Sequence, residues 1–383
     1  MEYRRLGRTE LRVSLLGVGG GYVMLKDLAY GTRLYERAAE LGLNYFDGRY
    51  GASSRMIAPV IRGDRARFVI TSKTHDDTRA RALARVDDDL AELETDYIDV
   101  YFLRTYNHDR RQRHFAPGGS LEGLMEARAQ GKIRYIGLAG HSDLSALAAG
   151  IETGLIDVVI FPLNVVRRDA FEALIPAAQR HDVGLVAMKP MNVGLLTPEV
   201  ALPWLAHQPI HTMVPGVSSI EQLERNVAAL SRASLALSPE ALAEVERVRA
   251  ALDDQTCRIC DHICRAACPQ DIRIDTLVYH DVFYNEYLAH GLEGLLTAPL
   301  ADWVKRDLEG HFARRLETLR ACTRCRQCEL ACPHHLPLLE MFDRMLADHQ
   351  ALTEAVRERG WSDQYRAVES PLQAPRARSG GAR

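Results

Sequence analysis

The chain has 383 residues, of which 47% are hydrophobic and 26% charged, and its formal net charge is −3. That length accommodates one full α/β barrel plus a smaller domain. Basic residues are spread along the chain, which argues against nucleic acid as a main partner, and no apolar run approaches the ~20 residues needed to span a bilayer.

The opening MEYRRLGRTELRVSLLGVGG lacks the apolar core and cleavage site of a secretory leader, so a cytoplasmic protein is expected. Over the first 250 residues, short apolar runs alternate with amphipathic stretches. The predicted strands are 15–20, 44–47, 68–73, 98–104, 133–140, 157–164, 184–190 and 211–217. Helical patterns occupy 31–41, 77–92, 120–130, 143–151, 169–181 and 219–230. Near-continuous apolar strands imply burial on both faces, as in a parallel sheet. Eight such units fit a closed (β/α)8 TIM barrel better than an open doubly wound sheet. Gly17, Gly19, Gly20 and Gly21 end a barrel strand and form no G-x-G-x-x-G phosphate loop. Residues 238–254 open with Ser-Pro and an acidic first turn, which predicts a helix linking the barrel to the cysteine-rich segment. Helical texture returns at about 275–290 and 300–320, and 366–383 has the composition of a disordered tail. The domain plan is therefore an α/β barrel over 1–254, a small mainly helical domain over 255–345, and an extension over 346–383 that is disordered at its end.

Chemistry in such barrels sits at the carboxyl ends of strands. That rule selects Asp47, Tyr50, Lys73, Arg104, His141, Asn164 and Lys189. The bland alternative for Asp47 and Lys73 is a salt bridge plugging the barrel mouth. All eight cysteines lie between 257 and 332 in two groups of four. Cys257, Cys260, Cys264 and Cys268 precede Pro269; Cys322, Cys325, Cys328 and Cys332 precede Pro333. Three thiolates this close can wrap one face of an iron–sulfur cubane, because each iron needs one sulfur ligand. A pair of four-cysteine zinc sites is the alternative, although zinc sites normally use two C-x2-C knuckles around a longer loop. Disulfides do not suit a chain of cytosolic character. His262, His334 and His335 adjoin the cysteines, but eight thiolates already satisfy two cubanes.

The second group reads C-x2-C-x2-C-x3-C-P and resembles the cluster-binding run of bacterial ferredoxins; the first differs by one extra residue. The 53-residue spacer resembles that of helical two-cluster ferredoxins. This resemblance implies two 4Fe–4S clusters with crossed fourth ligands: Cys257, Cys260 and Cys264 with Cys332, and Cys322, Cys325 and Cys328 with Cys268. In the barrel, RRLGRTELRVSLLGVGG, LGLNYFDGRYG, VITSK, TDYIDVYFLR, GKIRYIGLAGHS, VAMKP and VPGVSSIEQLERN resemble aldo-keto reductase segments in order and spacing. The resemblance is to the branch of that family with a C-terminal ferredoxin-like domain. It implies hydride transfer from NAD(P)H to a carbonyl, with Tyr50 as proton donor, Lys73 lowering its pKa and Asp47 pairing with the lysine. The sequence departs from the family at Arg104, which replaces a histidine and suits a carboxylate or oxyanion. Ala139, Gly140 and Ile160 replace polar nicotinamide contacts, and Gly216 and Gln222 replace basic phosphate contacts. Asn164, Ser218, Ser219 and Asn226 survive as cofactor-binding candidates. Each lost charge-assisted contact costs about 1.5–3 kcal/mol, so NAD(P)H is a candidate cofactor expected to bind weakly.

The expected protein is thus an iron–sulfur oxidoreductase acting on a small carbonyl- or alcohol-type substrate, with Arg104 and Arg49 hinting at an acidic group. A hydride carries two electrons and a cluster one, so an electron-transfer partner protein belongs to this expectation. The alternative is a non-redox lyase, dehydratase or epimerase on the same barrel, its clusters structural or directed to a partner.

Overall fold

In the computed structural model, the described residues are 1–274 and 314–359, leaving out 25, 49–51, 105–107, 142, 232–236, 255, 259, 261–262 and 315. The chain opens with a two-stranded antiparallel hairpin, β1 (Tyr3–Arg5) and β2 (Arg12–Ser14). Eight parallel strands follow: β3 (Val18–Gly19), β4 (Tyr45–Asp47), β5 (Val69–Thr74), β6 (Ile98–Arg104), β7 (Ile133–Ala139), β8 (Val158–Pro162), β9 (Gly184–Met188) and β10 (Thr212–Val214). Each pairs with the next in chain order. Parallel bridges Leu16–Met213 and Gly19–Gly216 join the first strand to the last and close the barrel.

All eight predicted strands are present, most of them trimmed at the ends by loops. The helices expected between them are also found, among them Leu28–Glu40, Arg79–Leu93 and Ile220–Ser231. The predicted helix at 169–181 is instead a short 3-10 turn, Asp169–Phe171, followed by Leu174–Arg180. The linking helix runs Pro239–Leu252, and its Ser238 hydroxyl accepts from the Ala241 N–H at 3.2 Å. Helices Ala52–Ile61 and Pro198–Ala206 and the N-terminal hairpin were not expected from the sequence.

Two apolar layers result from strand alternation. One lies inside the barrel, where Tyr45, Val69, Val100, Phe102, Val158, Ile160, Val186 and Val214 pack together. The hairpin supplies Leu6, Leu11 and Val13 to this layer and so floors the barrel. The other layer packs the strands against the surrounding helices. A Cβ at Gly137 would sit 2.4 Å from the Phe102 ring, so the bare glycine lets Phe102 fill the interior.

Beyond the barrel, a separate apolar nucleus gathers Ile272, Ile274, Leu316, Leu319, Phe342 and Met345 around Cys328 and Cys332. The helix Leu338–Arg359 runs straight through position 345/346, where the sequence suggested the extension begins. The spacer helix at 275–290, most of 300–320, and the tail at 366–383 lie outside the described residues. Among the described residues no helix is long and apolar enough to cross a membrane.

Candidate active site

Asp47, Thr71, Lys73 and Arg104 share the inward parity of Tyr45, Val69, Val100 and Phe102 on β4, β5 and β6, and they stand at the carboxyl ends of those strands. The register pairs Asp47 with Thr71 and Lys73 with Phe102. Lys73 Nζ donates to Asp47 Oδ1, which also accepts from Thr71 Oγ1 at 2.8 Å. Asp47 is 9% exposed. The ammonium lies 5.1 Å from the centre of the Phe102 ring, an arrangement that favours a cation. The structure therefore brings Asp47 and Lys73 together. Tyr50 lies outside the described residues.

Arg104 sits at the same mouth. Its Nη1 donates to His75 Nε2 at 2.8 Å, and its Nη2 donates to His141 Nε2 at 3.4 Å. A guanidinium has no acceptor, so in these contacts each imidazole Nε2 faces it with a lone pair. The Arg104 carbonyl accepts from His114, a buried residue whose pKa is held below the usual histidine value, chiefly by burial. His75 was not singled out from the sequence. It lies two residues beyond Lys73 on the same parity, so the strand-end rule carried one step further would have found it.

The cofactor-binding candidates have other commitments. Asn164 Oδ1 accepts from the N–H groups of Val166 and Arg167, both at 2.9 Å, and its Nδ2 donates to the Lys189 carbonyl at 3.1 Å. Ser218 donates to Gln222 Oε1 through both its N–H and its hydroxyl, while Ser219 Oγ accepts from the Gln222 N–H at 3.2 Å. This pattern is a variant of the capping box that starts helix Ile220–Ser231. Asn226 is buried within that helix. Ile160, read from the sequence as replacing a polar nicotinamide contact, belongs to the apolar interior. The residues present therefore fit a nicotinamide nucleotide poorly on its carboxamide side.

Four of the cysteines, one from the first sequence group and three from the second, are brought to one pocket. Cys268 lines one pocket with Cys322, Cys325 and Cys328, above Ile272 and Phe342. Burial pushes the Cys328 thiol up to about 11, with Cys268 and Cys322 adding to the effect. Burial also raises the Cys260 thiol, and Cys332 is the next contributor. Cys257 and Cys264 pack against the nucleus that holds Cys332. Among the described residues no three His, Cys, Asp or Glu side chains converge as they would around a single metal ion. Cubane ligands each hold a different iron, so their sulfurs stand further apart than the ligands of one ion. An all-thiolate donor set on an apolar wall fits an iron–sulfur cluster in its chemistry.

The first cysteine loop touches the barrel. Arg167 Nη2 donates to the carbonyl of Arg258, between Cys257 and Cys260, at 2.9 Å and to the carbonyl of His141 at 3.2 Å. Asn192 Nδ2 reaches Thr256 Oγ1 at 3.4 Å.

Residues 20–200 match the sequence model described as "Aldo/keto reductase family". The chain is 24% identical over 304 residues to L-galactose dehydrogenase of Arabidopsis thaliana, an alignment covering 65% of this chain and 94% of that protein. It is 27% identical over 228 residues to the uncharacterized oxidoreductase YrpG of Bacillus subtilis, covering 51% of this chain and 68% of the relative. Among solved structures, it superposes on the holo form of aldo-keto reductase AKR11C1 from Bacillus halodurans with a TM-score of 0.57 and 24% identity, covering 65% of this chain and 96% of the other.

Proposed function

We propose that this chain, an oxidoreductase whose residues 20–200 match the aldo/keto reductase family, interconverts a small anionic carbonyl compound and its alcohol at the barrel mouth. The observation that carries this reading is the buried Asp47–Lys73 pair on the inward face of β4 and β5, with Arg104 on the neighbouring strand. Asp47 keeps Lys73 charged and aimed, and Phe102 floors the ammonium. So held, Lys73 stabilises negative charge developing on the substrate oxygen or on a proton-donating hydroxyl, the role that the family resemblance gives to Tyr50. Arg104 orients the substrate by gripping its carboxylate; His75 and His141 fix the plane of the guanidinium.

In this proposal Cys268, Cys322, Cys325 and Cys328 hold one 4Fe–4S cluster, and Cys257, Cys260, Cys264 and Cys332 hold the other. Support comes from the shared pocket of the first set and the proximity of Cys260 to Cys332. Reduction of the carbonyl takes two electrons and two protons; the bound clusters would supply the electrons one at a time, replenished by an electron-transfer partner protein, and the protons would come from the acid at the site and from solvent. No step is assigned to a nicotinamide, because Ala139, Gly140 and Ile160 offer its carboxamide no side-chain hydrogen bond.

Anaerobic purification with iron, sulfide and zinc analysis, followed by NADH and NADPH titration under cluster absorbance, tests this. The expectation is about eight iron atoms per chain and no bleaching by either nucleotide. Two zinc ions and no iron would overturn the cluster assignment, and bleaching by a nicotinamide would overturn the absence of a nucleotide step.

A further inference from the structure

We propose that Arg167 is a positioning residue that ties the first cysteine loop to the substrate-gripping Arg104, so that the state of Cys257 and Cys260 is felt at the barrel mouth. This deepens the proposed active site and rests on that reading of Arg104. Arg167 is 4% exposed, and its Nη2 bridges two backbone carbonyls from distant parts of the chain, those of Arg258 and His141. The His141 ring in turn meets Arg104 at 3.4 Å. The link therefore runs from the backbone between two cysteines, through one guanidinium, to the residue beside the site.

Both ends of the link are held from behind. Asn164 Oδ1 accepts from the Arg167 N–H, and the Asn164 N–H donates to the Arg167 carbonyl at 3.2 Å, which pins the turn that presents the guanidinium. On the other side, Arg258 is 8% exposed and its guanidinium grips the Asp253 carboxylate, so its carbonyl is set by the end of the linking helix. Arg167 Nε is buried without a hydrogen-bond partner among the described residues. Burying such a group costs stability. The bridge to the two carbonyls engages the other side of the same guanidinium.

A double-mutant cycle on the full-length chain, purified anaerobically, tests the link. The readout is the rate at which diethyl pyrocarbonate modifies His141, followed by mass spectrometry, with exposed His207 as internal control. Cys257→Ser should change the His141 rate about fivefold when Arg167 is present, the effect of one hydrogen bond of ordinary strength. In an Arg167→Met background the same substitution should change it less than about twofold, and Arg167→Lys should restore part of the response. A purely structural arginine would alter the His141 rate equally with or without Cys257. That outcome, or no response to Cys257→Ser in either background, overturns the proposal. Asp253→Asn, which loosens Arg258 without touching a cysteine, provides a second perturbation should Cys257→Ser not fold. Iron analysis of the same samples separates the two readings: absent iron sinks the cluster assignment, while the cycle still judges Arg167.

Discussion

Replacing Lys73 with Met keeps the length of the side chain and removes its charge. What remains is the Asp47 carboxylate, 9% exposed, with Thr71 Oγ1 at 2.8 Å as a donor. Breaking a buried ion pair by removing one partner costs about 3–5 kcal/mol. The two side chains here retain 13% and 12% accessibility, so water reaches the abandoned carboxylate and the low end, about 3 kcal/mol, applies. For a barrel of this size that lowers the melting temperature by about 6–12 °C. The double variant Asp47→Asn/Lys73→Met buries no charge and should return to within about 1 kcal/mol of the parent. Turnover should stay depressed by about a hundredfold or more in both variants. Thermal unfolding by circular dichroism and turnover on a panel of small 2-oxo acids and aldehydes measure the two quantities side by side. If activity recovers together with stability in the double variant, the pair is a structural plug and the proposed chemistry is refuted.

Arg104→Met should raise the KM for carboxylate-bearing substrates by about ten- to a hundredfold while leaving their neutral analogues nearly unaffected, as steady-state kinetics on matched pairs would show. Equal losses for both classes would remove the anion from the proposal. Cys268→Ser and Cys325→Ser should each remove about half of the bound iron and the same cluster signal in paramagnetic resonance, despite lying in different sequence groups; different signals would break the pairing seen in the pocket. Burial chiefly holds the His211 imidazole below its usual value, and its Nδ1 accepts from the Leu185 N–H at 2.8 Å. The unfolded chain therefore gains a proton below about pH 6.5 that the fold resists, so stability is full above that pH and declines as pH falls toward the folded-state value. His211→Asn keeps an acceptor without a titration, and denaturant midpoints across the acid range should lose up to about 1.4 kcal/mol per pH unit of slope. An unchanged slope would assign the acid sensitivity elsewhere.

The barrel strands were legible because each is a short, apolar run buried on both faces, and burial of that kind is written in composition. The hairpin Tyr3–Arg5/Arg12–Ser14 was not, since two three-residue strands carrying three arginines show no apolar alternation. Helix Pro198–Ala206 carries Pro203 in its interior, which reads locally as a break, and Ala52–Ile61 likewise carries Pro59. At the site, Asp47, Lys73 and Arg104 were readable because strand ends and side-chain parity are properties of the chain itself. Asn164 was readable as a position, but its turn-closing hydrogen bonds were not: an asparagine closing its own turn looks the same in sequence as one waiting for a ligand. Arg167 left no signal at all, because its partner carbonyl arrives 91 residues later. The cysteines show both sides of this limit. Spacing named eight candidate ligands, but spacing alone cannot bring Cys268 into a pocket with Cys322, Cys325 and Cys328; that depends on the return of the chain across the 53 residues between the groups. The contacts hidden from sequence are therefore the long-range ones, and two of them lie where the first cysteine loop meets the barrel. Residues that join two independently readable modules are where coupling between those modules must be built. Substitutions at Arg167 and Asn192 should accordingly alter communication between the modules more than the stability of either one.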